Sequence, residues 1–97
     1  RMRLLIVEDN YPMRRLLKSL AADYADEIFE CADGAEAFDL YAELKPDLVL
    51  MDLQMRVLDG ISASGKIKNQ FPQAKIVIVT NCDEPEIRQA AFAAGIY

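Results

Sequence analysis

The chain has 97 residues, of which 53% are hydrophobic and 28% charged, and its net charge is −5. That length supports one core and excludes a second domain of ordinary size. No apolar run is long enough to span a bilayer, nothing at the start reads as a signal peptide, and no basic stripe offers a seat for nucleic-acid phosphates or a membrane surface.

Within residues 3–8, Leu4 to Val7 are aliphatic without alternation, the pattern of a strand covered on both faces. Asn10-Tyr11-Pro12 then turns the chain, with Asn10 placed as an N-cap and Pro12 near the first helical position. Met13, Leu16, Leu17, Leu20, Ala21 and Tyr24 recur at helical spacing, so 12–24 is predicted to be an amphipathic helix. Glu27 to Cys31 alternates and reads as an edge strand. Asp33-Gly34 opens a second helix with Ala35, Phe38, Tyr41 and Ala42 on its apolar face, and Pro46 stops it at Lys45.

The third strand is Asp47 to Asp52, followed by a loop from Leu53 to Gly60. Ile61 to Gln70 is predicted to be a third helix, weakened by Gly65 and ended by Phe71-Pro72. Lys75 to Thr80 is the fourth strand. A last helix is expected from about Pro85, with Ile87, Ala90, Ala91 and Ala94 on one face and Gly95 as its cap. Strands alternating with helices call for an α/β fold, a doubly wound parallel sheet with right-handed crossovers.

Three of these strands end in polar groups: Glu8-Asp9, Asp52 and Thr80. In open parallel sheets ligands bind beyond the carboxyl ends of the strands, so these tips are expected to form one site. Carboxylates about 5 Å apart repel by roughly 3 kcal/mol at an effective dielectric of 20, so three together call for a cation. An all-oxygen ligand set points to a hard ion, Mg²⁺ ahead of Mn²⁺ or Ca²⁺. Such a cluster, with one carboxylate left to react, suits phosphoryl transfer. Histidine is absent, so any phosphohistidine intermediate must lie on another molecule. Cys31 and Cys82 show no metal-ligand spacing and fit free thiols in a reducing cytoplasm.

Val7-Glu8-Asp9-Asn10, Pro46 through Met55, Leu58-Asp59-Gly60, Ile76 through Thr80 and Ala93-Ala94-Gly95 together resemble the receiver (CheY-like) domain of bacterial response regulators, in order and along the whole chain. The resemblance implies a flavodoxin-like strand order 2-1-3-4. It implies that Asp52 accepts a phosphoryl group from a sensor histidine kinase or phosphotransfer protein, catalysing only its own phosphoryl transfer and dephosphorylation. Asp9 and Asp52 would ligate Mg²⁺, Glu8 would act largely through a metal-bound water, and the backbone carbonyl of Gln54 would complete the set. Thr80 would sense the phosphoryl group, and the backbone N–H groups of Leu53 and Asn81 would face its oxygens. The region Phe71 to Lys75 resembles receivers attached to DNA-binding output domains, which would lie outside this chain.

The sequence departs from that family in places. Receivers continue into a fifth strand and helix and carry a lysine that pairs with the phosphoryl group. None of Lys18, Lys45, Lys66, Lys68 and Lys75 falls at a strand tip. Arg56 stands where proline is usual and Asn81 where a small residue is usual. The expectation is a domain lacking strand five and helix five, with strand four as an apolar edge prone to self-association. An interaction-only receiver, with the acids kept but no phosphorylation, is the alternative. A haloacid-dehalogenase-type phosphatase would need Asp-x-Asp after the first strand, and a flavodoxin-type carrier a glycine- and hydroxyl-rich loop there; Glu8-Asp9-Asn10-Tyr11 is neither.

Overall fold

The computed structural model describes residues 1–52 and 60–79. In chain order these form β1 (Arg3–Val7), α1 (Tyr11–Ala21), β2 (Glu27–Cys31), α2 (Gly34–Leu44), β3 (Leu48–Met51), α3 (Gly60–Gln70) and β4 (Ile76–Ile78). All strand pairs are parallel, in the order β2-β1-β3-β4. The expected doubly wound sheet and its 2-1-3-4 order are what the chain adopts. The last helix, expected from Pro85, lies outside the described residues.

Register explains which side chains meet which layer. Leu5 stands beside Val49 and Val7 beside Met51, and these odd-numbered residues form one core with Ala37 and Tyr41 of α2 and Ala63 and Ile67 of α3. Leu4 and Ile6 point to the opposite face, where α1 packs along β1. Because β1 is central and covered on both sides, Leu4 through Val7 are buried without alternation.

The helix starts are local chemistry. The Asn10 side chain accepts a hydrogen bond from Met13 N–H at 2.9 Å, and Asp33 accepts from Glu36 N–H at 2.8 Å. Lys45 ends α2 in the left-handed region at φ 45°, as the proline behind it requires the helix to stop. Lys68 bridges from α3 to the carbonyls of Pro72 and Ala74 at 2.8 and 2.9 Å, holding the turn that feeds β4.

The α1 face differs from expectation. Helix α1 ends at Ala21 rather than near Tyr24, and none of its residues is buried. Met13, Leu17 and Ala21 are half-buried, whereas Leu16, Leu20 and Tyr24 are exposed. The apolar stripe is wider than its contact with β1, so periodicity marked an apolar surface correctly but overstated its burial. On the same side of the sheet Leu48, Leu50 and Val77 are also only half-buried. The α2/α3 side carries the finished core.

Two neighbouring positions in α3 are suboptimal for stability. Ser64 is fully buried and its hydroxyl has no hydrogen-bond partner among the described residues. A Cβ added at Gly65 meets nothing within 4 Å. Ser64→Ala and Gly65→Ala are each expected to stabilise the chain by about 1 kcal/mol, the first by removing an unsatisfied polar group and the second by lowering unfolded-chain entropy. Urea unfolding of the two variants checks this.

Candidate functional site: an acidic cluster at the strand tips

Just past the last paired residues of β1 and β3 the backbone stays locked. Glu8 N–H donates to Cys31 C=O at 3.1 Å, and Asp52 N–H donates to Val7 C=O at 3.0 Å. These bonds tie the ends of β2, β1 and β3 together while the side chains of Glu8, Asp9 and Asp52 extend beyond the ladder. One ligand oxygen from each of the three lies within 4.8 Å of the other two. The structure thus brings together three of the residues singled out in the sequence. Leu53, Gln54, Thr80 and Asn81 lie outside the described residues.

Glu8 is the unusual member. Only 4% of its surface is exposed, and one carboxylate oxygen accepts from Asn10 N–H at 3.3 Å. Its pKa is pushed up to about 7, first by burial, then by a hydrogen bond to the Asp52 side chain and by the charges of Asp52 and Asp9; the Asn10 bond acts in the opposite sense. With a pKa near 7 the Glu8 carboxyl carries its proton about half the time at neutral pH. The protonated form donates to Asp52, so a shared proton offsets part of the repulsion that a cation would otherwise remove.

Arg14 supports the same tip and was not singled out by sequence reasoning. One guanidinium nitrogen donates to the Glu8 carbonyl at 2.7 Å and another lies 3.3 Å from Glu30. Its ring neighbour is Tyr11, 5.3 Å from centroid to guanidinium carbon. Helical spacing placed Arg14 off the apolar stripe and gave no sign that it reached back to β1.

An all-oxygen donor set with a strained proton at its centre fits a hard divalent cation, and Glu8, Asp9 and Asp52 are the described residues able to hold one. The lysines do not supply the missing charge. Lys18 pairs with Glu30 at 3.2 Å, Lys45 caps α2, Lys66 and Lys68 lie on α3, and Lys75 precedes β4 at the end of the sheet opposite the acids.

With this geometry in view, the comparisons with known proteins are consistent with one another. The model of the response regulator receiver domain matches residues 4–97. The chain belongs to this family. It is 38% identical over 96 residues to the uncharacterized transcriptional regulatory protein YhcZ of Bacillus subtilis, covering 97% of this chain and 45% of that protein. It superposes with a TM-score of 0.91 and 32% identity on a two-component response regulator of the LuxR family from Aurantimonas, covering 98% of this chain and 69% of the other. The receiver domain of the histidine kinase CKI1 from Arabidopsis thaliana, in complex with Mg²⁺ and BeF₃⁻, gives a TM-score of 0.86 at 26% identity, covering 98% of this chain and 76% of the other. The chain spans about half the length of several curated relatives it matches.

The Glu8 proton makes a signed prediction. Its folded pKa of about 7 lies above the 4.5 of an ordinary glutamate, so the native state retains a proton that the unfolded chain has released. Stability from this group is therefore fully present below about pH 4.5 and is lost as pH rises through about 7, by up to about 3 kcal/mol without metal. Glu8→Gln should match wild type near pH 4.5 and exceed it in stability at pH 8. Urea midpoints of both proteins across that range, in EDTA, measure the difference.

Proposed function

We propose that this chain is the phosphorylatable receiver of a two-component regulator, taking a phosphoryl group on Asp52 from a sensor histidine kinase or phosphotransfer protein. The observation that carries this reading is the convergence of Glu8, Asp9 and Asp52 at one end of a parallel sheet, with oxygens within 4.8 Å. A carboxylate oxygen of Asp52 attacks phosphorus, an O–P bond forms as the N–P bond of a phosphohistidine breaks, and the imidazole stays on the donor. Hydrolysis of the acyl phosphate by water later releases phosphate and restores the carboxylate. The chain catalyses these two steps on itself and acts on no separate substrate.

Asp9 and Asp52 would hold Mg²⁺ directly, Glu8 largely through water, with the Gln54 carbonyl as a further ligand. When bound, the ion would supply positive charge against the carboxylates and against the charge developing on the phosphoryl oxygens. Thr80 is assigned the sensing hydroxyl, and the backbone N–H groups of Leu53 and Asn81 the remaining phosphoryl contacts. Phosphorylation replaces one charge with a group of about −2 and three strong acceptors, which biases a pre-existing equilibrium rather than building a new state. The transcriptional regulator and LuxR-family names among the relatives support an output in transcription. That output, a DNA-binding domain, belongs to the rest of a longer, cytoplasmic protein.

Incubation with acetyl phosphate, or with beryllium fluoride and Mg²⁺, tests this. Wild type is expected to gain a phosphoryl adduct by intact mass, and beryllium fluoride is expected to shift the amides of Glu8 and Asp9; Asp52→Ala should do neither. An identical response of wild type and variant would remove the phosphoswitch and leave the interaction-only receiver, in which no lysine completes the site.

A second partner is another copy of the chain. Strand β4 pairs with β3 on one side, and among the described residues no strand covers the other. Val77 and Ile78 there are half-buried apolar residues on a short ladder. Light scattering of the 97-residue chain is expected to give a mass that rises above the monomer's with concentration; a constant monomer mass would exclude pairing at this edge.

A further inference from the structure

Glu8 is the first residue past β1, and its two backbone groups are held in different ways. Its N–H donates to the Cys31 carbonyl at 3.1 Å, continuing the ladder toward β2. Its C=O is held from outside the sheet, by a guanidinium nitrogen of Arg14 at 2.7 Å. That carbonyl belongs to the planar peptide unit leading into Asp9, so Arg14 fixes the plane from which the Asp9 side chain departs.

Arg14 is itself anchored. It stands in the first turn of α1, where its backbone N–H donates to the carbonyl of the capping Asn10 at 2.9 Å. Its Nε lies 3.3 Å from one carboxylate oxygen of Glu30 on β2, and the other Glu30 oxygen takes Lys18 at 3.2 Å. The Tyr11 ring covers the guanidinium carbon at 5.3 Å, and the Arg14 side chain is 17% exposed. The result is a fork braced on β2 and aimed at the end of β1, a geometry that the point charge of a lysine does not reproduce.

We propose that Arg14 is a positioning residue for the acidic cluster: by clamping the Glu8 carbonyl it holds Glu8 and Asp9 at the spacing from Asp52 that a divalent cation requires. The inference rests on the cation reading of the site given above. One oxygen of each acid lies within 4.8 Å of the others, and these carboxylates repel, so a tip released at Glu8 opens. Mg²⁺ accepts oxygens only in near-ideal octahedral geometry at about 2.1 Å, and a ligand set loosened by about 1 Å no longer supplies it.

Charge alone makes the opposite prediction. A guanidinium near the acids repels a cation, so an Arg14 acting only through its charge would weaken Mg²⁺ binding, and its removal would strengthen it. An Arg14 acting only as a brace between α1 and the sheet would change the unfolding midpoint and leave the affinity of the folded chain unchanged. Positioning is the role in which removing a positive charge weakens the binding of a positive ion.

Magnesium chloride titrated into isotopically labelled wild type, Arg14→Met and Arg14→Lys, followed on the amides of Glu8 and Asp9, reads that sign. Urea unfolding of each variant establishes that it is folded under the titration conditions. Arg14→Met keeps the aliphatic stem and is expected to raise the Kd for Mg²⁺ about tenfold, the scale of a lost ligand-supporting contact. Arg14→Lys keeps the charge without the fork and is expected to raise it about threefold. The proposal is overturned if Arg14→Met binds Mg²⁺ as tightly as wild type or more tightly, or, where that variant does not fold, if Arg14→Lys binds as tightly as wild type. Absence of any Mg²⁺ response in wild type would instead remove the cation reading itself, and this inference with it.

Discussion

Holding three carboxylates within 4.8 Å of one another is unfavourable by itself, at about 3 kcal/mol for each charged pair at an effective dielectric of 20. What maintains the arrangement is the burial of the strands behind it. Leu5, Ile6, Val7, Val49 and Met51 have no exposed surface, and each contributes on the order of 2 kcal/mol when removed from water. That apolar burial acts through the two strands at whose ends the acids stand. The backbones of Glu8 and Asp52 are tied to Cys31 and Val7 at the ends of the ladder, so their positions follow the packing of the strands.

The remaining strain is handled by protonation. Glu8 is the most enclosed of the three acids, and it keeps a proton near neutrality because its carboxylate would face burial and two acidic neighbours at once. A divalent cation held by these acids would serve the same electrostatic need as that proton, so its binding would be tied to pH and to the stability of the sheet. An uncharged isostere at Glu8 would relieve the fold and weaken the site together, as expected where function is built on stored repulsion.

The sequence made much of this legible where the cause was local. Asn10 as a cap, the stop at Lys45 before Pro46, and Glu27–Cys31 as a strand all follow from residues within a turn of one another. The strand order and the meeting of Glu8, Asp9 and Asp52 followed from the alternation of elements and from the family resemblance. What spacing could not show depends on distant partners. The pKa of Glu8 is set by Asp52, remote in sequence. The reach of Arg14 back to the Glu8 carbonyl crosses from helix to strand. Leu16 and Leu20 looked like core because periodicity reports which face is apolar and not how much of that face the sheet can cover.

The two faces of the sheet also divide the work. On one, α2 and α3 close a core around Val7, Met51, Ala63 and Ile67, immediately behind the acids, and this fixes the tips. On the other, α1 touches β1 and leaves Leu48, Leu50 and Val77 half-buried. A change of charge at Asp52 therefore meets a rigid backing on the α2/α3 side and a less completed layer on the α1 side. Rearrangement costs least where the fewest apolar contacts must be broken. The packing of α2 and α3 behind β1 and β3 keeps the carboxylates in register.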